Sequence, residues 1–142
     1  MDARLMALRA ARPIRIHCPV AAEALAAAVG GDLAAIERDP QIASILDLIR
    51  GDNALGGFGA YQGVCEIGFG AESFVPTEAA NPVLGEAGIP ALSPTIVLLT
   101  WVDADLPDDR LEQLIETIAE RHPWEVPVIE IGAPVRLYAP GS

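Results

Sequence analysis

The sequence predicts an α+β domain of the ferredoxin-like, split βαβ type, with an antiparallel sheet and its helices on one face. Three observations carry the prediction. Residues 13–20 alternate apolar and polar side chains with the period of a half-buried strand, and residues 95–102 form an unbroken apolar run rich in β-branched residues. Between Pro107 and Pro123 an amphipathic helix leads straight into extended segments at 126–131 and 135–138. Read in order, strand, helix, strands, helix and strand make a βαββαβ unit.

Each element has a local cause. Residues 1–12 read as a short helix or flexible arm, with Leu5, Met6 and Leu8 as anchors between arginines. From Pro13, Ile14, Ile16 and Cys18 alternate against Arg15 and His17. Residues 21–50 are rich in alanine and leucine, and Gly30-Gly31 and Asp39-Pro40 divide them into helical pieces. In the last piece Ile42, Ile45, Leu46 and Ile49 share one helical face. Gly51 to Gly70 holds seven glycines in 20 residues, which predicts a bent or bulged strand pair whose backbone closely approaches something. From there to Pro94 the chain is a loop-rich excursion punctuated by prolines and glycines, long enough to carry function.

The run Thr95–Val102 predicts a central strand covered on both faces. Pro107, Asp108 and Asp109 supply helix-start chemistry, since proline loses no needed donor in the first turn and carboxylates suit the positive end. Leu111, Leu114, Ile115 and Ile118 then form a stripe, with Glu112, Glu116 and Glu120 facing water. Pro123 disfavours helical geometry at His122 and ends the helix there.

A chain of 142 residues fits one domain spanning 1–142 and can bury roughly 68% of the surface its unfolded form exposes. Its composition, 51% hydrophobic and 20% charged, is far from that of a disordered chain. Nine arginines, no lysine and 20 acidic residues give a formal charge of −11, so the average field repels nucleic acid and anionic membrane. The two cysteines, Cys18 and Cys65, have no paired spacing, which argues against a disulfide framework and for a reducing cytoplasm. Arg4, Arg9 and Arg12 before an alanine-rich stretch imitate a secretory signal, but Asp2, Pro19 and Glu23 interrupt it. The apolar run from Pro90 to Val102 falls short of the roughly 20 residues of a spanning helix. Neither export nor membrane insertion is expected.

The segment His122-Pro-Trp-Glu-Val-Pro127, entered from a long apolar strand and an acidic-start helix, resembles the C-terminal half of the CutA divalent-cation-tolerance family, in which tyrosine usually stands at the position of Trp124. The middle of the chain resembles the CutA-like domain inserted in YqfO-type proteins of the Nif-three-like family, through Gly59, Tyr61 and Cys65, then Phe74-Val-Pro76, then Ala80-Asn81-Pro82-Val-Leu-Gly85. Together these motifs cover roughly residues 57–138. Ala60 replaces the asparagine usual before the tyrosine, Cys65 lies one residue farther from Tyr61, and the metal-binding body of Nif-three-like proteins has no counterpart in this sequence. The resemblance implies a PII/CutA-like fold and a homotrimer that pairs edge strands between subunits.

The candidate site residues follow from these motifs. Cys65 and His122 are the pair best placed to hold a divalent metal, copper or zinc, because the resemblance puts both in one module. His17 and Cys18, adjacent on a strand, point to opposite faces and do not serve one centre. Gly59, Tyr61, Asn81, Trp124 and Glu125 are the candidate ligand cleft. Each has a structural alternative. A histidine at a helix C-terminus interacts favourably with the dipole and reaches free carbonyls, Trp124 can anchor an interface, Glu125 can pair with Arg121 or Arg136, and Cys65 can be a buried inert thiol.

No nucleotide-binding G-x-G-x-x-G or lysine-bearing phosphate loop occurs, and no serine stands in a G-x-S-x-G elbow. The expectation is a non-enzymatic, trimeric CutA/PII-like protein that binds a small ligand or divalent metal. The alternatives are a nucleotide-responsive regulator of PII type and a metal-free adaptor for other proteins.

Overall fold

The computed structural model describes residues 7–82 and 84–140. Strand β1 (Leu8–Pro19) is followed by helix α1 (Ala22–Val29), a 3-10 turn at Leu33–Arg38 and helix α2 (Pro40–Arg50). Strands β2 (Glu66–Phe74) and β3 (Ala91–Asp103), helix α3 (Asp108–Arg121) and strands β4 (Val128–Ile131) and β5 (Val135–Tyr138) complete it. The sheet order is β2-β3-β1-β4, every pair antiparallel, with β5 also on β1. This is the ferredoxin-like α+β arrangement that the element order predicts.

Registration places the core on one face. Ile14, Ile16 and Cys18 of β1 lie opposite Thr100, Leu98 and Ile96 of β3, and all six are fully buried. Against them pack Ile36, Ile42, Ile45, Leu46 and Ile49 from the helical segment and Leu111 and Ile118 from α3. Each such large side chain, taken fully out of water, stabilises the fold by about 1.5–3 kcal/mol before entropy is charged against it. The stripes on α2 and α3 are those expected, and Glu112, Glu116 and Glu120 are exposed.

Among the described residues no helix covers the opposite face, and the half-burial of β3 there corrects the expectation that it is buried on both sides. Val97, Leu99 and Trp101 point there, half-buried, in rows with His17, Arg15 and Pro13 of β1. Arg15 and His17 both reach Glu130 of β4, at 4.0 and 3.0 Å. An antiparallel sheet can leave one face wet; an unbroken apolar run does not distinguish that case from full enclosure.

Four other boundaries differ from expectation. Leu8–Arg12 is strand rather than arm or helix, because Leu8–Ala11 pairs with β5 and Ala11 and Arg12 pair with the end of β3. The partners are more distant in sequence than any local pattern reaches; Leu5 and Met6 lie outside the described residues. Of the glycine-rich segment only its end, from Glu66 to Gly70 at the start of β2, is strand. Residues 51–65 run irregularly beside β3 where β2 has not yet begun, and the Gly56 N–H donates to the Trp101 carbonyl at 2.8 Å while Val64 N–H donates to Gly56 O at 2.9 Å. Gly56 sits at φ +66, and a Cβ there would stand 2.6 Å from Val64 N, so the close approach is to the chain's own backbone. Finally, β2 extends to Phe74 and β3 begins at Ala91, which shortens the loop excursion to 75–90, and β4 begins at Val128 rather than 126.

Helix starts and stops have identifiable causes. Asp39 caps α2 by accepting the Gln41 N–H at 3.0 Å, with Pro40 in the first turn, and its other oxygen accepts the Ala21 N–H at 2.7 Å at the mouth of α1. Helix α3 ends at His122, whose backbone is extended, and the Arg121 guanidinium donates to the Ser44 carbonyl of α2 at 2.9 Å.

Candidate functional site

His122 is where α3, β1 and the Trp124 segment meet. Its ring is buried; Nε2 lies 2.6 Å from the His17 carbonyl, and Nδ1 accepts the Trp124 N–H at 3.1 Å. The ring therefore donates through Nε2 and accepts through Nδ1, which is the neutral tautomer. The carbonyl it reaches belongs to β1, not to its own helix. Burial pushes its pKa below the ordinary histidine value, and the His17 carbonyl and the Glu72 carboxylate push back.

With both ring nitrogens engaged, His122 turns the next residues outward. Trp124 packs edge-to-face on Phe74, ring centroids 5.0 Å apart at 64°. Beside the pair lies a cavity of about 180 Å³. The end of β2 contributes Phe74 and Pro76, the loop contributes Ala80, Pro82 and Leu84, and the segment after His122 contributes Trp124, Glu125 and Val126. Glu125 carries the one ionisable group of this lining, and both its oxygens sit 3.2 Å from the Asn81 backbone N–H, which fixes loop to segment. The expected pairing of Glu125 with Arg121 or Arg136 is absent from the described residues: Arg121 is turned toward Ser44. A broader depression of about 570 Å³ lies across Trp124 and Leu84, toward Val20, Pro40 and Ser93.

Three sequence-predicted site residues, Asn81, Trp124 and Glu125, thus meet in one place, and Phe74, Pro76, Ala80 and Pro82 of the quoted motifs join them. Gly59 and Tyr61 do not. Phe58 and Tyr61 exchange backbone hydrogen bonds of 2.8 and 3.1 Å around a two-residue turn, with Gly59 at φ +61 in its first position. Phe58 stacks edge-on against Trp101 and under the Arg9 guanidinium, which also holds Asp103 at 2.7 Å. That hairpin is at the Trp101 end of β3, and the cavity is at the Ala91 end, roughly 30 Å away along the strand. Within one protomer they form no common cleft.

Cys65 and His122 are not brought together either. His122 bonds to His17, which is level with Gly68 of β2, whereas Cys65 lies three residues before that level and two strands across. More than about 10 Å separates them by strand geometry. The Cys65 thiol points at the Glu66 carbonyl, 3.7 Å away, and burial, partly offset by Arg50, pushes its pKa up to about 11. No group of three histidine, cysteine, aspartate or glutamate side chains among the described residues is arranged to hold a metal. The pair does not fit a copper or zinc centre. Cys18, buried and pushed up to about 12 by burial and then by Asp39, faces the core while His17 faces away from it, as expected of neighbours on a strand.

The residues that sequence reading leaves out of the site are Leu84 as a wall between the two hollows, Val126 at the rim, and Glu72, whose charge acts on His122. Exposed apolar side chains on irregular backbone carry no periodic signal, and the influence of Glu72 on His122 depends on sheet pairing that no local pattern predicts.

No protein-family model matches this sequence, and no curated protein matches it. Among solved structures the chain is similar to the crystal structure of a Bacillus cereus protein related to NIF3, with a TM-score of 0.59 at 15% identity. The match covers 90% of this chain and 26% of that one, so the chain spans about a quarter of the neighbour's length. At this identity the likeness is one of fold. It accords with the Nif-three-like part of the resemblance seen in the motifs. No helix of the described residues is long and apolar enough to cross a membrane.

Proposed function

We propose that this chain is a non-catalytic, cytoplasmic, CutA/PII-like module that binds a small molecule in the Phe74–Trp124 cavity and works as a homotrimer. One observation carries the ligand reading: three separate motif segments converge on a single apolar hollow with one carboxylate at its side. Ligand pockets combine apolar lining with a few placed polar groups, and this one has that make-up. A nucleotide is the poorer occupant, since neither arginine nor histidine lines the cavity and the chain is strongly acidic. The metal reading lacks a ligand set among the described residues.

Tryptophan fluorescence tests the proposal directly. The chain has two tryptophans, so a Trp101→Phe variant makes Trp124 the sole reporter. A panel of ring-sized probes, aromatic and alicyclic, is expected to give a saturable change that Ala80→Phe, which fills the hollow, removes. A flat response across the panel, or identical binding after Ala80→Phe, refutes the site.

A further inference from the structure

We infer that the cavity takes a small organic cation: an ammonium or guanidinium group on a compact apolar body. The inference rests on the proposal that this cavity is the ligand site and adds the charge of its occupant. A carboxylate offers about four lone-pair positions. The partner recorded for Glu125 is a single backbone N–H shared between its two oxygens at 3.2 Å, the long end of the hydrogen-bond range. Glu125 takes part in none of the ion pairs among the described residues, although four other acidic side chains lie within reach of an arginine or histidine elsewhere. Its remaining acceptor capacity is open to a donor in the hollow.

The aromatic pair points to the same charge. Trp124 and Phe74 stand edge-to-face, and ring faces attract cations through their quadrupoles. With no basic side chain in the lining and a formal charge of −11 on the chain, an anion meets only repulsion. Size follows from volume: a dry cavity of about 150 Å³ holds a benzene-sized molecule, so about 180 Å³ suits one ring or a branched amine of similar bulk. Glu125 is exposed, so the preference for a cation over its neutral isostere is roughly three- to tenfold rather than larger.

The test uses Trp101→Phe protein titrated with benzylamine, benzyl alcohol and benzoate at pH 7 in about 0.5 M salt, where long-range attraction is screened. Benzylamine is expected to bind about three- to tenfold more tightly than benzyl alcohol, and benzoate more weakly than either. Glu125→Gln keeps an oxygen for the Asn81 N–H and is expected to abolish the preference; Glu120→Gln, which removes a charge on α3 outside the cavity lining, is expected to retain it. Equal affinity for benzylamine and benzyl alcohol overturns the cation inference and leaves the site proposal standing. Preference retained in Glu125→Gln also overturns it, and no binding by any probe overturns both.

Discussion

His122 couples a protonation to packing. Its Nδ1 lone pair holds the Trp124 N–H, and a proton added there breaks that bond inside a buried corner. Because burial lowers its pKa in the folded chain, the unfolded chain takes up the proton first. The stabilising contribution is therefore complete above the ordinary value of 6.5 and is lost as pH falls from there toward the lower folded value. Urea midpoints measured between about pH 7.5 and pH 5 are expected to fall in the unmodified chain, with the His122-dependent part missing from His122→Ala. At the upper pH that variant costs about 1–3 kcal/mol, since it takes a partner from a part-buried carbonyl and a part-buried N–H. Parallel pH profiles for the two proteins count against this role. The cysteines need no such account: thiols held at about 11 and 12 stay protonated and poorly nucleophilic near neutrality.

Asp39 acts between elements. By accepting N–H groups from the starts of both α1 and α2 it fixes the helical segment as one unit over the sheet. Asp39→Ala is expected to cost about 2 kcal/mol in chemical denaturation, with Asp39→Asn recovering part of it through the remaining acceptor; a loss below a few tenths of a kcal/mol for Asp39→Ala contradicts the bridge. The elements also divide by how far their determinants lie in sequence. Helix α3 is legible because its start, stripe and stop are all written within 107–123. The Asp39-Pro40 boundary is legible for the same reason. The first turn of β1 is not, because Leu8–Ala11 becomes a strand only by meeting Val135–Tyr138. Nor is residues 51–65, where the glycines report that backbone comes close but not to what. The site divides likewise: Asn81, Trp124 and Glu125 stand in recognisable motifs, whereas placing Gly59 and Tyr61 at the far end of the sheet required the register of β2 on β3.

For the molecule as a whole, the proposed trimer answers two exposures of the isolated protomer. Among the described residues, the outer edge of β2 has no partner strand and the sheet face bearing Val97, Leu99 and Trp101 carries no helix. Edge strands left bare invite uncontrolled pairing, and closed symmetric assembly is the usual remedy. Static light scattering at micromolar concentration is expected to give the mass of three chains. A one-chain mass throughout that range removes the trimer from the proposal while leaving the cavity experiments unaffected.

The pairing of β5 with the start of β1 has one more consequence. Leu8 lies opposite Tyr138, and the Ala139 N–H donates to the Ala7 carbonyl at 2.6 Å. The described chain thus enters and leaves its sheet through a single gate, on neighbouring strands. Such a fold can be spliced into a surface loop of a host protein while spreading the host's loop ends by little more than one strand spacing, about 5 Å.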